Sequence, residues 1–174
     1  MENMGLTKRK GTRLPAYDYS KPGAYFVTVC THNRECLLSQ ITPVGEGLAP
    51  PAVHLTEIGK IVEEEILALE VRFPAVKMNH YVIMPNHIHL LLTLQESAGG
   101  ASPSPTVTSV IGTMKSVSTI RCHKEWNDRF SWQRSFYDHV IRNERDYQEI
   151  WKYIEENPAK WTQDRFFTTR HENS

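Results

Sequence analysis

Hydrophobic and polar positions divide the chain into segments of regular period, joined by stretches where Gly, Pro and Ser break the pattern. Residues 24–31 (AYFVTVCT) are dense in β-branched and aromatic side chains and predict a strand. Leu55, Ile58, Val62, Ile66 and Leu69 then recur at steps of three and four, which predicts an amphipathic helix with Thr56 as its N-cap. Two strand-like runs, 76–84 and 86–94, flank Pro85-Asn86, a natural hairpin turn. Val107, Val110, Met114 and Val117 mark a second helix, and 132–142 reads as a fourth strand. Asn143 is placed to cap a last helix running to about Asn157, with Asp146 at the capping-box position. The segments TPVGEGLAPP (42–51) and SAGGASPSP (97–105) are too rich in Gly and Pro for regular structure.

The predicted order is strand, helix, strand, strand, helix, strand, helix. That order predicts an α+β fold: a ferredoxin-like antiparallel sheet with helices on one face and an added C-terminal helix. Residues 1–23 carry Lys8, Arg9, Lys10 and Arg13 ahead of Pro15 and Pro22, so a basic N-terminal arm leads into a domain at 24–162, followed by a tail at 163–174.

Composition narrows the class of protein. A length of 174 residues with 40% hydrophobic and 23% charged residues suits one globular domain, and no stretch recurs at a solenoid period. Lys and Arg number 20 against 20 for Asp and Glu, so any affinity for nucleic acid must come from a local patch. No apolar run is long enough to span a bilayer, and Cys30, Cys36 and Cys122 lack C-x-x-C spacing; the expected setting is the reducing cytoplasm, without disulfides.

The tripeptide His87-Ile88-His89 carries the chemistry. Side chains alternate along a strand, so both imidazoles share one face while Ile88, Leu90, Leu92 and Leu94 share the other. The aliphatic set already supplies a core face, and the two histidines are free to hold one metal ion. Three chemistries use such a pair. Histidine-triad nucleotide hydrolases need a third alternate histidine, where this chain has Leu91. Zinc hydrolases need a third protein ligand at a telling spacing, which is not evident. HUH endonucleases pair the histidines with a polar third ligand and a helical tyrosine nucleophile. The last helix offers both: Tyr153 and Asn157 are four residues apart, beside the stripe Tyr147, Ile150, Trp151, Ile154 that should pack on the sheet.

On these residues the chain resembles the single-tyrosine HUH transposases of the insertion-sequence-200-like superfamily, and within it the REP-associated tyrosine transposases. The resemblance rests on PGAYFVTVCTHNRE (22–35), NHYVIMPNHIHLLL (79–92), SWQRSFYDHVIRNERDY (131–147) and YIEENPAKW (153–161). It implies His87 and His89 as metal ligands, Asn157 as the third ligand, Tyr153 as nucleophile, and Mg²⁺ or Mn²⁺ as the ion. It implies cleavage and rejoining of single-stranded DNA hairpins, such as palindromic repeats, through a 5′-phosphotyrosine, by a protein more in keeping with the monomeric relatives than with the dimeric ones. Two features depart from the pattern: the 42–54 loop reads as an insertion, and the net charge of +0 is low for a DNA-processing protein.

Candidate DNA contacts are Lys8, Arg9, Lys10 and Arg13 on the arm, Arg34 after the first strand, and Lys115 and Arg121 on the second helix. The arm reads equally as a flexible solubilising segment. His139 and Arg142 lie in a matching stretch without an evident role, and His32, His54, His80, His123 and His171 read as surface or structural residues. Two other functions stay open at this level: a domesticated DNA-hairpin binding protein without turnover, and a small nucleotide phosphoesterase.

Overall fold

A computed structural model describes residues 18–19, 21–42, 50–97, 103–126 and 129–169. Four strands form one antiparallel sheet: β1 (Gly23–Cys30), β4 (Val76–Ile83), β5 (His87–Leu94) and β6 (Tyr137–Val140), in the order β4-β5-β1-β6. Strand β5 thus lies between β1 and β4, although β4 follows β1 among these four along the chain. This is the split arrangement of the ferredoxin-like fold. The first connection carries α1 (Glu57–Leu67) and a short α2 (Leu69–Arg72), the second carries α3 (Val107–Glu125), and α1 packs on α3.

Alternation along the strands decides what each face holds. Tyr25, Val27 and Val29 of β1 join Ile88, Leu90, Leu92 and Leu94 of β5 in one buried cluster with Ile58, Ile61, Val62 and Ile66 of α1 and Val110, Ile111 and Met114 of α3. The stripe of α3 continues through Ser118 and Cys122, both buried, and Val117 lies beside it. Thr56 caps α1 by accepting from Gly59 N at 3.0 Å. Gly59 is required there because a Cβ would overlap the carbonyl oxygen of Leu38.

Helix α4 (Glu144–Glu156) crosses the opposite face, against β4 and β5. Asn143 Oδ1 accepts from Asp146 N at 2.9 Å, as an N-cap should. The Asp146 carboxylate takes a different partner from the one the capping-box spacing suggests: it accepts from His139 at 2.8 Å and ties β6 to the first turn of α4. Across the sheet a bulge between Met78 and His80 brings Asn79 and His80 into contact with α4. Asn79 donates to Tyr147 Oη at 2.8 Å, and His80 stacks on Trp151 with ring centres 4.3 Å apart.

Two readings of the sequence are corrected. Strands β2 (Ser39–Thr42) and β3 (Ala52–Leu55) pair with each other on either side of the Gly- and Pro-rich stretch, so regular structure reaches both of its ends. The fourth strand is not continuous over 132–142: Trp132 makes an isolated bridge to Thr31, and the ladder resumes only at Tyr137. The cause lies on α3, where Ser118 receives the Trp132 indole N–H and the Lys115 ammonium draws off the carbonyls of Gln133 and Arg134. Beyond residue 162, Phe166 is buried against both histidines. The arm residues Lys8, Arg9, Lys10 and Arg13 lie outside the described residues.

Candidate metal and tyrosine centre

The site is assembled on the face of β5 turned toward α4. His87 and His89 are both buried, and their Nε2 atoms stand 3.1 Å apart. Each ring is gripped by its other nitrogen. Asn86, in the β4–β5 turn, donates to the carbonyls of Arg34 (3.2 Å) and Phe166 (2.8 Å), and these two acceptors fix which end of the amide is NH₂. Its Oδ1 therefore faces His87 Nδ1 at 2.8 Å and holds the proton there, leaving the lone pair on Nε2. His89 Nδ1 meets the Thr28 hydroxyl at 2.8 Å, a partner able to donate or accept.

The remaining groups come from α4 and the chain beyond it. Tyr153 is 41% exposed, and its ring meets that of His89 edge-on at 5.2 Å and that of Phe26 at 5.9 Å. Asn157, which ends α4, is buried; its Nδ2 donates to Asp164 Oδ2 at 3.1 Å, while its Oδ1 is buried with no hydrogen-bond partner among the described residues. Asp164 follows the 3-10 turn Pro158–Gln163, and its Oδ2 lies 3.8 Å from His87 Nε2. A cleft of about 290 Å³ opens here, lined by Tyr153, Asn157 and Asp164 with Glu156, Lys160, Gln163 and Arg165.

These donors fit a divalent ion. Two atoms bonded to one ion at about 2.1 Å sit roughly 3.0 Å apart across a right angle, close to the observed 3.1 Å between the two Nε2 atoms. His87, His89 and Asp164 each offer one ligand atom within 4.8 Å of the others. Burial holds both histidines well below the ordinary imidazole value; Asp164 opposes this at His87, and the His87 ring adds to it at His89. They are therefore neutral at pH 7, the form that ligates a metal. Burial, and then the charge of Asp164, push the Tyr153 hydroxyl above its usual value, so it is protonated at neutral pH.

The structure thus brings Tyr153, Asn157, His87 and His89 together. It gives Lys115 and Arg121 internal partners instead: Lys115 donates to backbone carbonyls, and Arg121 pairs with Glu64, Glu65 and Glu125. Arg34 lies beside the Phe166 ring, its guanidinium 5.3 Å from the ring centre, and the Arg165 guanidinium stands 4.6 Å from the same centre. Asn86, Thr28, Asp164, Arg165 and Phe166 were not singled out from the sequence. Asn86 and Thr28 could have been, as polar residues at a turn and on a strand next to the His-x-His strand; the other three sit in an irregular segment that has no periodic signal.

Known proteins supply an independent comparison. An uncharacterized protein of Haemophilus influenzae is 31% identical over 180 aligned residues, covering 95% of this chain and 96% of its own. A REP-associated tyrosine transposase of Escherichia coli K12 is 28% identical over 142 residues, covering 82% of this chain and 70% of its own. A solved structure of a REP-associated tyrosine transposase bound to a REP hairpin superposes with a TM-score of 0.61 at 26% identity, over 85% of this chain and 73% of that one. Residues 55–157 match the model of the family described as "Transposase IS200 like". That match begins one residue before the cap of α1, ends on Asn157 and takes in more than half of the 174 residues, so the chain belongs to the IS200-like transposase family.

Proposed function

We propose that the protein is a metal-dependent single-stranded DNA endonuclease and strand transferase that acts at hairpins, with Tyr153 as its nucleophile. The observation that carries this reading is the half-exposed Tyr153 ring standing 5.2 Å from that of the buried His89 and lining a cleft together with Asn157 and Asp164. A buried core tyrosine could not reach a backbone phosphate, and a fully solvated one would not be oriented. The REP-hairpin complex of the structural relative supports the hairpin as substrate.

His87, His89 and Asn157 would hold Mn²⁺ or Mg²⁺ through two imidazole nitrogens and an amide oxygen, a mixed donor set that suits either ion. When bound there, such an ion would supply electrophilic polarisation of a phosphodiester. The chain's own residues do the rest. Tyr153 Oη forms the bond to phosphorus in line with the P–O3′ bond that breaks; the phenolic proton is lost and the 3′ oxygen leaves as a hydroxyl. Because the link to Tyr153 is still a phosphodiester, a 3′-hydroxyl can attack it and restore a continuous strand without ATP. Asn86 and Thr28 keep the two imidazoles in place during both steps.

The test is His87→Ala assayed with Mn²⁺ and hairpins drawn from DNA flanking the gene. Cleavage is expected to fall below detection while hairpin affinity, measured in EDTA, stays within about threefold of wild type, since outer contacts to phosphate supply most of the binding. Equal loss of both would assign the histidines to structure or to DNA contact and overturn the reading.

A further inference from the structure

Asp164 is a buried carboxylate with no Lys or Arg paired to it among the described residues. Its side chain is 2% exposed, and its two oxygens accept from Asn157 Nδ2 (3.1 Å) and Phe166 N (2.7 Å). Among the described residues the basic group nearest to it is the His87 imidazole, whose Nε2 stands 3.8 Å from Asp164 Oδ2, beyond hydrogen-bond reach. A carboxylate removed from water is costly unless it is paired with a cation or ligates one. The cation that this geometry accommodates is a metal ion between Asp164 Oδ2 and the two Nε2 atoms. A second, independent observation points to the same place: Asn157 Oδ1 is fully buried and has no hydrogen-bond partner among the described residues. Asp164 also lies beyond residues 55–157, so the match to the family model does not include it.

We infer that Asp164 is an anionic ligand of the metal ion, joining His87, His89 and the Asn157 amide oxygen, and that Asn157 Nδ2 holds its carboxylate in position. This deepens the proposed function and rests on its histidine site. Two consequences follow. The carboxylate offsets one charge of a divalent ion, so the site is loaded before DNA supplies phosphate oxygens. The segment from Pro158 onward also becomes part of the metal site, and loading the ion fastens it to the sheet.

The experiment is a Mn²⁺ titration of the full chain without DNA, read by the electron paramagnetic resonance signal of free Mn²⁺, for wild type, Asp164→Asn and His87→Ala. Asp164→Asn preserves the shape of the side chain and removes its charge. Its dissociation constant should rise by at least about 100-fold, beyond the 10- to 100-fold typical of outer-shell partners. A smaller rise, with His87→Ala losing the ion, would remove Asp164 from the ligand set and leave the histidine site standing. Unimpaired binding by His87→Ala as well would remove both.

A second variant keeps the inference open to contradiction if Asp164→Asn folds poorly. Asp164→Cys loaded with Co²⁺ should show a thiolate-to-cobalt charge-transfer band that the wild type and the His87→Ala, Asp164→Cys double variant lack. Absence of the band at cobalt saturation would overturn the assignment.

Discussion

The two faces of the four-stranded sheet are made of alternate residues from the same strands and are buried for different reasons. Toward α1 and α3, Ile88, Leu90, Leu92 and Leu94 are fully or almost fully covered by other apolar side chains. Toward α4, the residues that alternate with them include His87 and His89, which are just as buried but lie among an asparagine amide, a threonine hydroxyl and a carboxylate. Apolar burial stabilises a fold at about 25 cal/mol per Å², whereas polar burial costs free energy unless every group finds a partner. The first face therefore contributes stability, and the second holds chemistry in place at a cost that the first offsets.

The largest effect expected on the apolar face is from Leu90→Ala. It should lower the free energy of unfolding by about 3 kcal/mol, measured by urea denaturation, while cleavage per folded molecule is retained. A cleavage loss in excess of the unfolded fraction would show that the two faces are not separable. Next comes Gly59→Ala, where the new methyl group meets the Leu38 carbonyl and α1 must shift; a loss of about 2 kcal/mol is expected from such overpacking. An unchanged thermal midpoint would contradict that close approach.

Arg121→Ala sharpens the comparison from the other side. Arg121 shares the buried Glu65 with Arg72, so its removal should cost about 1–2 kcal/mol and leave hairpin affinity unchanged. A weakened hairpin complex of normal stability would establish Arg121 as a DNA contact. The same cluster sets a pH dependence. Burial raises the Glu65 carboxyl, but hydrogen bonds from Arg72 and Arg121 more than reverse this, and the folded value lies below the ordinary one. Its stabilising contribution is therefore complete above the unfolded carboxylate value, and it is lost as pH falls through the depressed folded value. Glu65→Gln should flatten the acid limb of unfolding free energy against pH; an unchanged slope would mean that the pair does not set it.

The smallest effect belongs to the helix that carries the tyrosine. Asn143→Ala removes the N-cap of α4 and should cost about 1 kcal/mol. His139→Ala, which unties β6 from that same turn, should lower cleavage more than stability, because it loosens the seat of Tyr153.

How far these features could be read from sequence depends on where their cause lies. Alternation on β5 and the four-residue step from Tyr153 to Asn157 are local patterns, and both faces of β5 and the orientation of α4 followed from them. Strands β2 and β3 were hidden because SQIT and AVHL are four residues long and flank a stretch dominated by turn residues. The break after Trp132 was hidden because its cause is the Lys115 ammonium, far away along the chain. Asp164 was hidden for the same reason: it is placed by Asn157 and by Phe166 packing on His87, contacts that no spacing announces.

The central claim is covalent chemistry at Tyr153. The protein is incubated with Mn²⁺ and 3′-labelled single-stranded hairpins from the DNA beside its gene, and the mixture is run on a denaturing gel. The account predicts a labelled protein adduct that is absent with Tyr153→Phe. Cleaved strand without an adduct, or an adduct that persists in Tyr153→Phe, would contradict it.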